Sequence, residues 1–209
     1  MRELIASFAA VFLLTFLASP LLGSGWFWDF GNGLGFAAFA GIAYLVIASN
    51  RRLDVQAHRV LGYAVLSLVV FHAFWFLLGD ATVVEYLRPG APLYMWAGVL
   101  GLLMLFVLMI IAVPPDRQRM HDDYGGFRYW HRIISIIAVV GAGYHIAASR
   151  FYLDSGYQLV LFAVVTAAVC FGRRYWGRIG QIRIVSPTLF LVLGVAMACG
   201  FAALRNLPL

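Results

Sequence analysis

AHRVLGYAVLSLVVFHAFWFL (57–77) and YWHRIISIIAVVGAGYHI (129–146) share one pattern: a long apolar run with a histidine near its start and another fourteen residues later. The histidines are His58 and His72 in the first run, His131 and His145 in the second. Neither run alternates polar and apolar residues as a half-buried strand would, and neither carries the polar stripe of a helix on a water-soluble surface. At 1.5 Å per residue about 20 residues cross a ~30 Å hydrocarbon layer, so each run reads as a membrane helix.

The rest of the chain agrees. Of 209 residues, 63% are apolar and 11% charged, against about 45–50% and about 25% in soluble domains. A soluble globular enzyme, a disordered chain and a disulfide scaffold are excluded. The two cysteines, Cys170 and Cys199, lie in apolar runs and form no CxxC, so a zinc ribbon and covalent c-type haem attachment are excluded too. Seven apolar runs can be marked, roughly 4–22, 34–49, 58–78, 94–113, 130–149, 157–172 and 185–204. The first is expected to be a retained helix rather than a cleaved signal, because Ser19-Pro20 is a poor cleavage site.

The net charge of +6 comes from fifteen arginines and no lysine. Eleven arginines fall in alternate connections: Arg51, Arg52, Arg59, then Arg117, Arg119, Arg128, Arg132, then Arg173, Arg174, Arg178, Arg183. The other connections hold only Arg88 and Arg150. The positive-inside rule places the rich loops and the N-terminus in the cytoplasm, with seven spans and the C-terminus outside. This asymmetry also accounts for the basic charge without nucleic acid. Gly31, Gly33 and Gly35 superficially resemble a phosphate loop, but no strand precedes them.

Fourteen steps of 100° fall about 40° short of four turns, so the two histidines of a run share a face, ~21 Å apart along the axis. The third and fifth runs are parallel, so His58 pairs in depth with His131 near the cytoplasmic side, and His72 with His145 near the outer side. An ionisable group inside a span is costly and usually functional. A single imidazole is often an interhelical hydrogen-bonding group; four at two matched depths point to ligation. Two nitrogens per level suit the axial positions of a six-coordinate b-type haem, whereas zinc wants three or four ligands at one level and di-iron sites want carboxylates.

Gly62 lies four residues after His58 and Gly141 four before His145, where a flat macrocycle would gain room; close helix packing would use them equally well. Arg59 and Arg132 each follow an inner histidine and are candidates to pair with haem propionates, or to snorkel to lipid phosphate. Arg150 is a further candidate at the outer level. Phe71 and Trp75 flank His72 and are expected to pack on an outer macrocycle. His121, in a polar loop, has no depth partner and is read as exposed.

Residues 57–77 and 129–146 resemble the ferric reductase-like transmembrane domain, a superfamily that includes NADPH oxidases, ferric reductases and the haem-binding subunit of periplasmic methionine-sulfoxide reductase. The resemblance covers roughly residues 1–172. It implies an all-α polytopic membrane helix bundle, a six-helix haem-binding core within a single transmembrane domain, 1–209, with 185–204 as an extra seventh helix. It implies two b-type haems, one on His58 and His131, the other on His72 and His145. The oxidases continue into a flavin domain; here a short polar stretch, 173–184, and a last apolar run follow instead. The expected function is therefore that of an oxidoreductase membrane subunit in the bacterial inner membrane. It would carry electrons from FMN, FAD or a separate flavoprotein reductase at the cytoplasmic face to an outer acceptor such as a periplasmic reductase. A quinol-linked cytochrome b and a haem- or proton-handling transporter are the alternatives.

Overall fold

The computed structural model describes residues 9–18, 25–48, 55–112, 124–176 and 185–207. They are almost wholly helical, with no strand among them, and form an all-α membrane bundle. Six helices of eight residues or more make the frame: α1 (Gly25–Ala48), α2 (Val55–Gly79), α3 (Leu93–Ala112), α4 (Tyr124–Ser149), α5 (Gly156–Phe171) and α6 (Pro187–Asn206). A π-helical turn, Leu13–Leu17, precedes α1; a 3-10 segment, Ala81–Leu87, joins α2 to α3.

Five helices are long and apolar enough to cross a membrane: Gly25–Ile47, Val55–Gly79, Leu93–Ala112, Gly125–Ser149 and Pro187–Asn206. They make this an integral membrane protein, and they correct the expected seven spans to five among the described residues. The 157–172 run forms a helix of 16 residues, which reaches ~24 Å and falls short of a ~30 Å layer. The 4–22 run is described only over 9–18, so its reading as a retained helix lies outside the described residues, as do His121, Arg51, Arg52, Arg117, Arg119, Arg178 and Arg183. Large apolar side chains such as Leu103, Phe106, Ile110, Val160, Val164 and Val192 face outward. Water would penalise that surface, and lipid does not.

α1 is the hub. Of its most apolar window 61% is buried, against 11–28% in the other four spans. It begins at Gly25, nine residues before the apolar run that announced it, so Gly31, Gly33 and Gly35 are helical. Small residues let neighbours close on it. A Cβ on Gly33 would meet the Cα of Ala198 in α6 at 2.9 Å, and one on Gly41 would meet Val65 of α2 and Phe190 of α6. Beside this seam Phe16 stacks on Phe36 with ring centroids 3.7 Å apart, and Phe12, Phe201 and Tyr152 close around the pair edge-on. α3 and α4 form the other tight pair, touching at Gly101, Gly141 and Ala142. The histidine helices α2 and α4 make at most marginal backbone contact with each other. α1 and α3 bridge them and leave a gap between.

Candidate functional site

The gap is a cavity of about 210 Å³. Apolar side chains from α1, α2, α3 and α4 make most of its wall, among them Phe39, Val69, Leu102 and Ile146. The 3-10 segment closes one end with Val83, Tyr86 and Leu87. His72 of α2 and His145 of α4 both line it.

Each of these histidines is held by the same local device. His72 Nδ1 lies 2.7 Å from the carbonyl of Gly31 on α1; His145 Nδ1 lies 2.9 Å from the carbonyl of Tyr94 on α3. A carbonyl can only accept, so Nδ1 carries the proton in both rings and Nε2 keeps its lone pair. In a helix the carbonyl of residue i already accepts from the N–H of residue i+4. A second donor must approach from the side, past the Cβ of that residue. Here residue i+4 is glycine both times: Gly35 beneath His72 and Gly98 beneath His145. A Cβ at Gly35 would come within 2.8 Å of His72 Cε1, and one at Gly98 within 2.8 Å of His145 Nδ1. Glycine at these two points is what lets the imidazole reach the backbone.

The inner pair is arranged more simply. His58, in the first turn of α2, and His131, in the second of α4, have ring centroids 6.2 Å apart at 58°. Phe127 lies beside His131 at 5.5 Å, and Ser135 Oγ donates to the His131 carbonyl at 2.6 Å. Arg59 is half-buried and donates to the Gln56 side chain one turn back; Arg132 is exposed. Arg150 is exposed at the C-terminal end of α4, with φ of +59°.

The two glycines expected to serve the ligand faces have different surroundings. Nothing is nearer a Cβ on Gly62 than Met109 Sδ at 3.6 Å, and a Cβ on Gly141 would press on the Ala97 carbonyl at 3.0 Å, so Gly141 is a packing glycine of the α3–α4 seam. Phe71 is largely exposed, and Trp75 turns toward α1, where its Nε1 donates to the Phe27 carbonyl at 2.9 Å. Phe76 instead stands edge-on to His72 at 5.4 Å and lines the cavity.

Asp29 and Arg205 escaped the sequence reading. Both are almost fully buried and form an ion pair, Arg205 Nε to Asp29 Oδ1 at 3.1 Å. Tyr152 donates to the same oxygen at 2.7 Å, and Asn206 to Oδ2 at 2.8 Å. Arg205 also lies 5.0 Å from the Tyr152 ring. The one available signal was their charge at the edges of apolar runs, which positive-inside counting treats as surface.

The family described as ferric reductase like transmembrane component matches residues 5–142. That is well over half of the chain, and the protein belongs to this family of transmembrane components. The match takes in His58, His72 and His131 and ends before His145; α6 lies outside it altogether. Neither the curated proteins nor the solved structures returned a significant match.

Proposed function

We propose that the chain conducts electrons across the membrane through two b-type haems, from a flavin or flavoprotein at the cytoplasmic face to an acceptor outside. One observation carries this reading: two imidazoles, each held by its Nδ1–H to a backbone carbonyl so that Nε2 keeps its lone pair, line the same apolar cavity. An Nδ1–H bonded to a carbonyl sets the tautomer and orientation of a metal-ligating histidine and raises its basicity.

The residues present fit haem. His72 and His145 would hold one group across the cavity. His58 and His131 would hold the other; two metal–nitrogen bonds of ~2 Å each plus two ring radii span about 6 Å, close to the observed 6.2 Å separation. Among the described residues no three His, Cys, Asp or Glu side chains gather as a metal-ligand set, so two-nitrogen axial ligation suits these helices better than zinc. Bound haem would supply one-electron chemistry. The aliphatic and aromatic walls of the cavity would keep water from His72 and His145, and with a histidine on each side a bound haem would pass electrons rather than take a substrate. Arg59 and Arg132, next to the inner histidines, would pair with propionates, and Arg150 would do so at the outer level. The arginines counted by sequence in the connections expected at the cytoplasmic side would attract an acidic reductase.

The test is the spectrum of the purified protein, oxidised and dithionite-reduced, with a pyridine haemochrome count. Two b haems per chain are expected, falling to one in His72→Ala or His145→Ala. A colourless protein after expression with ample haem would overturn the reading.

A further inference from the structure

α6 lies outside the family match, yet it is built into the outer half of the site. Its Ala198 sits against Gly33, and its Gly194 against Leu68 and Ala37. Arg205, on its last turn, reaches Asp29 on the second turn of α1. Asp29 accepts from three side chains: Arg205, Tyr152 and Asn206. The same short arc of α1 holds Gly31, whose carbonyl accepts from His72, and Gly35, which lies under the His72 ring. Asn32 completes it, donating to Tyr152 Oη at 3.3 Å, and both Asn32 and Tyr152 line the cavity.

A buried ion pair seldom adds net stability, because desolvating two charges roughly cancels their attraction. Its retention in an apolar bundle calls for another reason. We propose that Asp29 and Arg205 are positioning residues for His72. By pinning the N-terminal turns of α1 to α6 and to the Tyr152 segment, the pair holds the Gly31 carbonyl where it receives the Nδ1–H of His72. The last helix is thus part of the outer site, although it contributes no ligand. This inference rests on the haem reading above.

The consequence is specific to one level. Loss of the carbonyl bond lowers the basicity of His72, which weakens its hold on ferric iron more than on ferrous. Outer-shell partners of metal-bound histidines are worth about 10–100-fold in affinity. A tenfold loss confined to the ferric form raises the midpoint by about 59 mV for a one-electron couple. The inner level, on His58 and His131, lies ~21 Å along the helix axis from the outer one and serves as a control in the same molecule.

The experiment is a redox titration, with ferric electron spin resonance of both sites, on purified wild type, Asp29→Asn, Arg205→Met, the double variant Asp29→Asn/Arg205→Met, and Val192→Ala on the outward face of α6. The outer signal is the one lost in His72→Ala. The expected result is an upward shift of the outer midpoint by about 59 mV or more, an altered outer resonance, an unchanged inner site, and wild-type behaviour in Val192→Ala. The double variant strands no charge, and it is read in place of the single ones if those fail to accumulate. Folded variants with an unchanged outer midpoint, or with both midpoints shifted equally, would overturn the proposal and leave the haem reading standing. Failure of all three pair variants to accumulate would also overturn it, because the pair would then serve assembly of the bundle. A colourless wild type would overturn both.

Discussion

Replacing Gly98 by alanine adds one carbon to the wall beneath His145. That carbon would lie 2.8 Å from Nδ1, 3.0 Å from Cγ and 3.2 Å from Cε1. Non-bonded carbon contacts are comfortable at ~3.5–4.0 Å, so the ring must retreat by ~0.7–1.2 Å. Rotation about χ2 moves Nδ1 and Cε1 but not Cγ, so the contact with Cγ requires the ring to shift as a whole. A retreat of that size carries Nδ1 from 2.9 Å to about 3.6 Å or beyond from the Tyr94 carbonyl, past hydrogen-bonding range. A buried donor left without its partner costs about 1–3 kcal/mol, and alanine returns about 0.5–1 kcal/mol over glycine within a helix. The net cost is about 0–2.5 kcal/mol, too broad a span for the melting temperature to decide, so the ligand is the better readout. The outer site should lose 10–100-fold in haem affinity while the inner site holds. The assay is haem titration of the haem-free protein, followed in the Soret band, with Gly62→Ala alongside. A Gly98→Ala protein with wild-type outer affinity would refute the claim that glycine admits the imidazole to the carbonyl.

Gly62→Ala meets only ordinary contact with Met109 and gains about 0.5–1 kcal/mol of helix propensity, so both haem sites and the melting temperature should be preserved or improved; loss of the inner haem would put Gly62 on the ligand face. Gly141→Ala presses on the Ala97 carbonyl and should cost about 1–3 kcal/mol in α3–α4 packing, seen as a lower melting temperature with no spectral change. Arg150 holds φ at +59°, where a non-glycine residue pays about 1–2 kcal/mol; Arg150→Gly should therefore raise the melting temperature, and a fall would show that the guanidinium makes a stronger contact than the strain it costs. Gln158 is almost fully buried, donates to the Thr15 carbonyl at 2.6 Å and forms a capping box with Ser155; Gln158→Leu should cost about 1–3 kcal/mol, and an unchanged unfolding midpoint in a mild-detergent melt would contradict this.

Membrane residence and the approximate limits of α2, α3, α4 and α6 were legible in the residues alone, because hydropathy is summed over neighbours in the chain. The pairing of histidines on one helix face was legible too, because fourteen residues is a local helical repeat. The start of α1 was not. Trp26 to Gly35 contains three glycines and Asp29, and glycine disfavours a helix by about 1 kcal/mol per residue; packing against α2 and α6 overrides that preference. The number of spans turned on the short 157–172 run, whose length is marginal for crossing. What holds the histidines could be decided only by the tertiary structure. The carbonyls that fix them lie 41 and 51 residues away along the chain, and the charge that meets Asp29 lies 176 residues away. A glycine looks the same in sequence whether it faces lipid, a packed helix or an imidazole. Which of these it faces depends on how the helices rotate and cross, and that is set by side chains spread over the whole bundle.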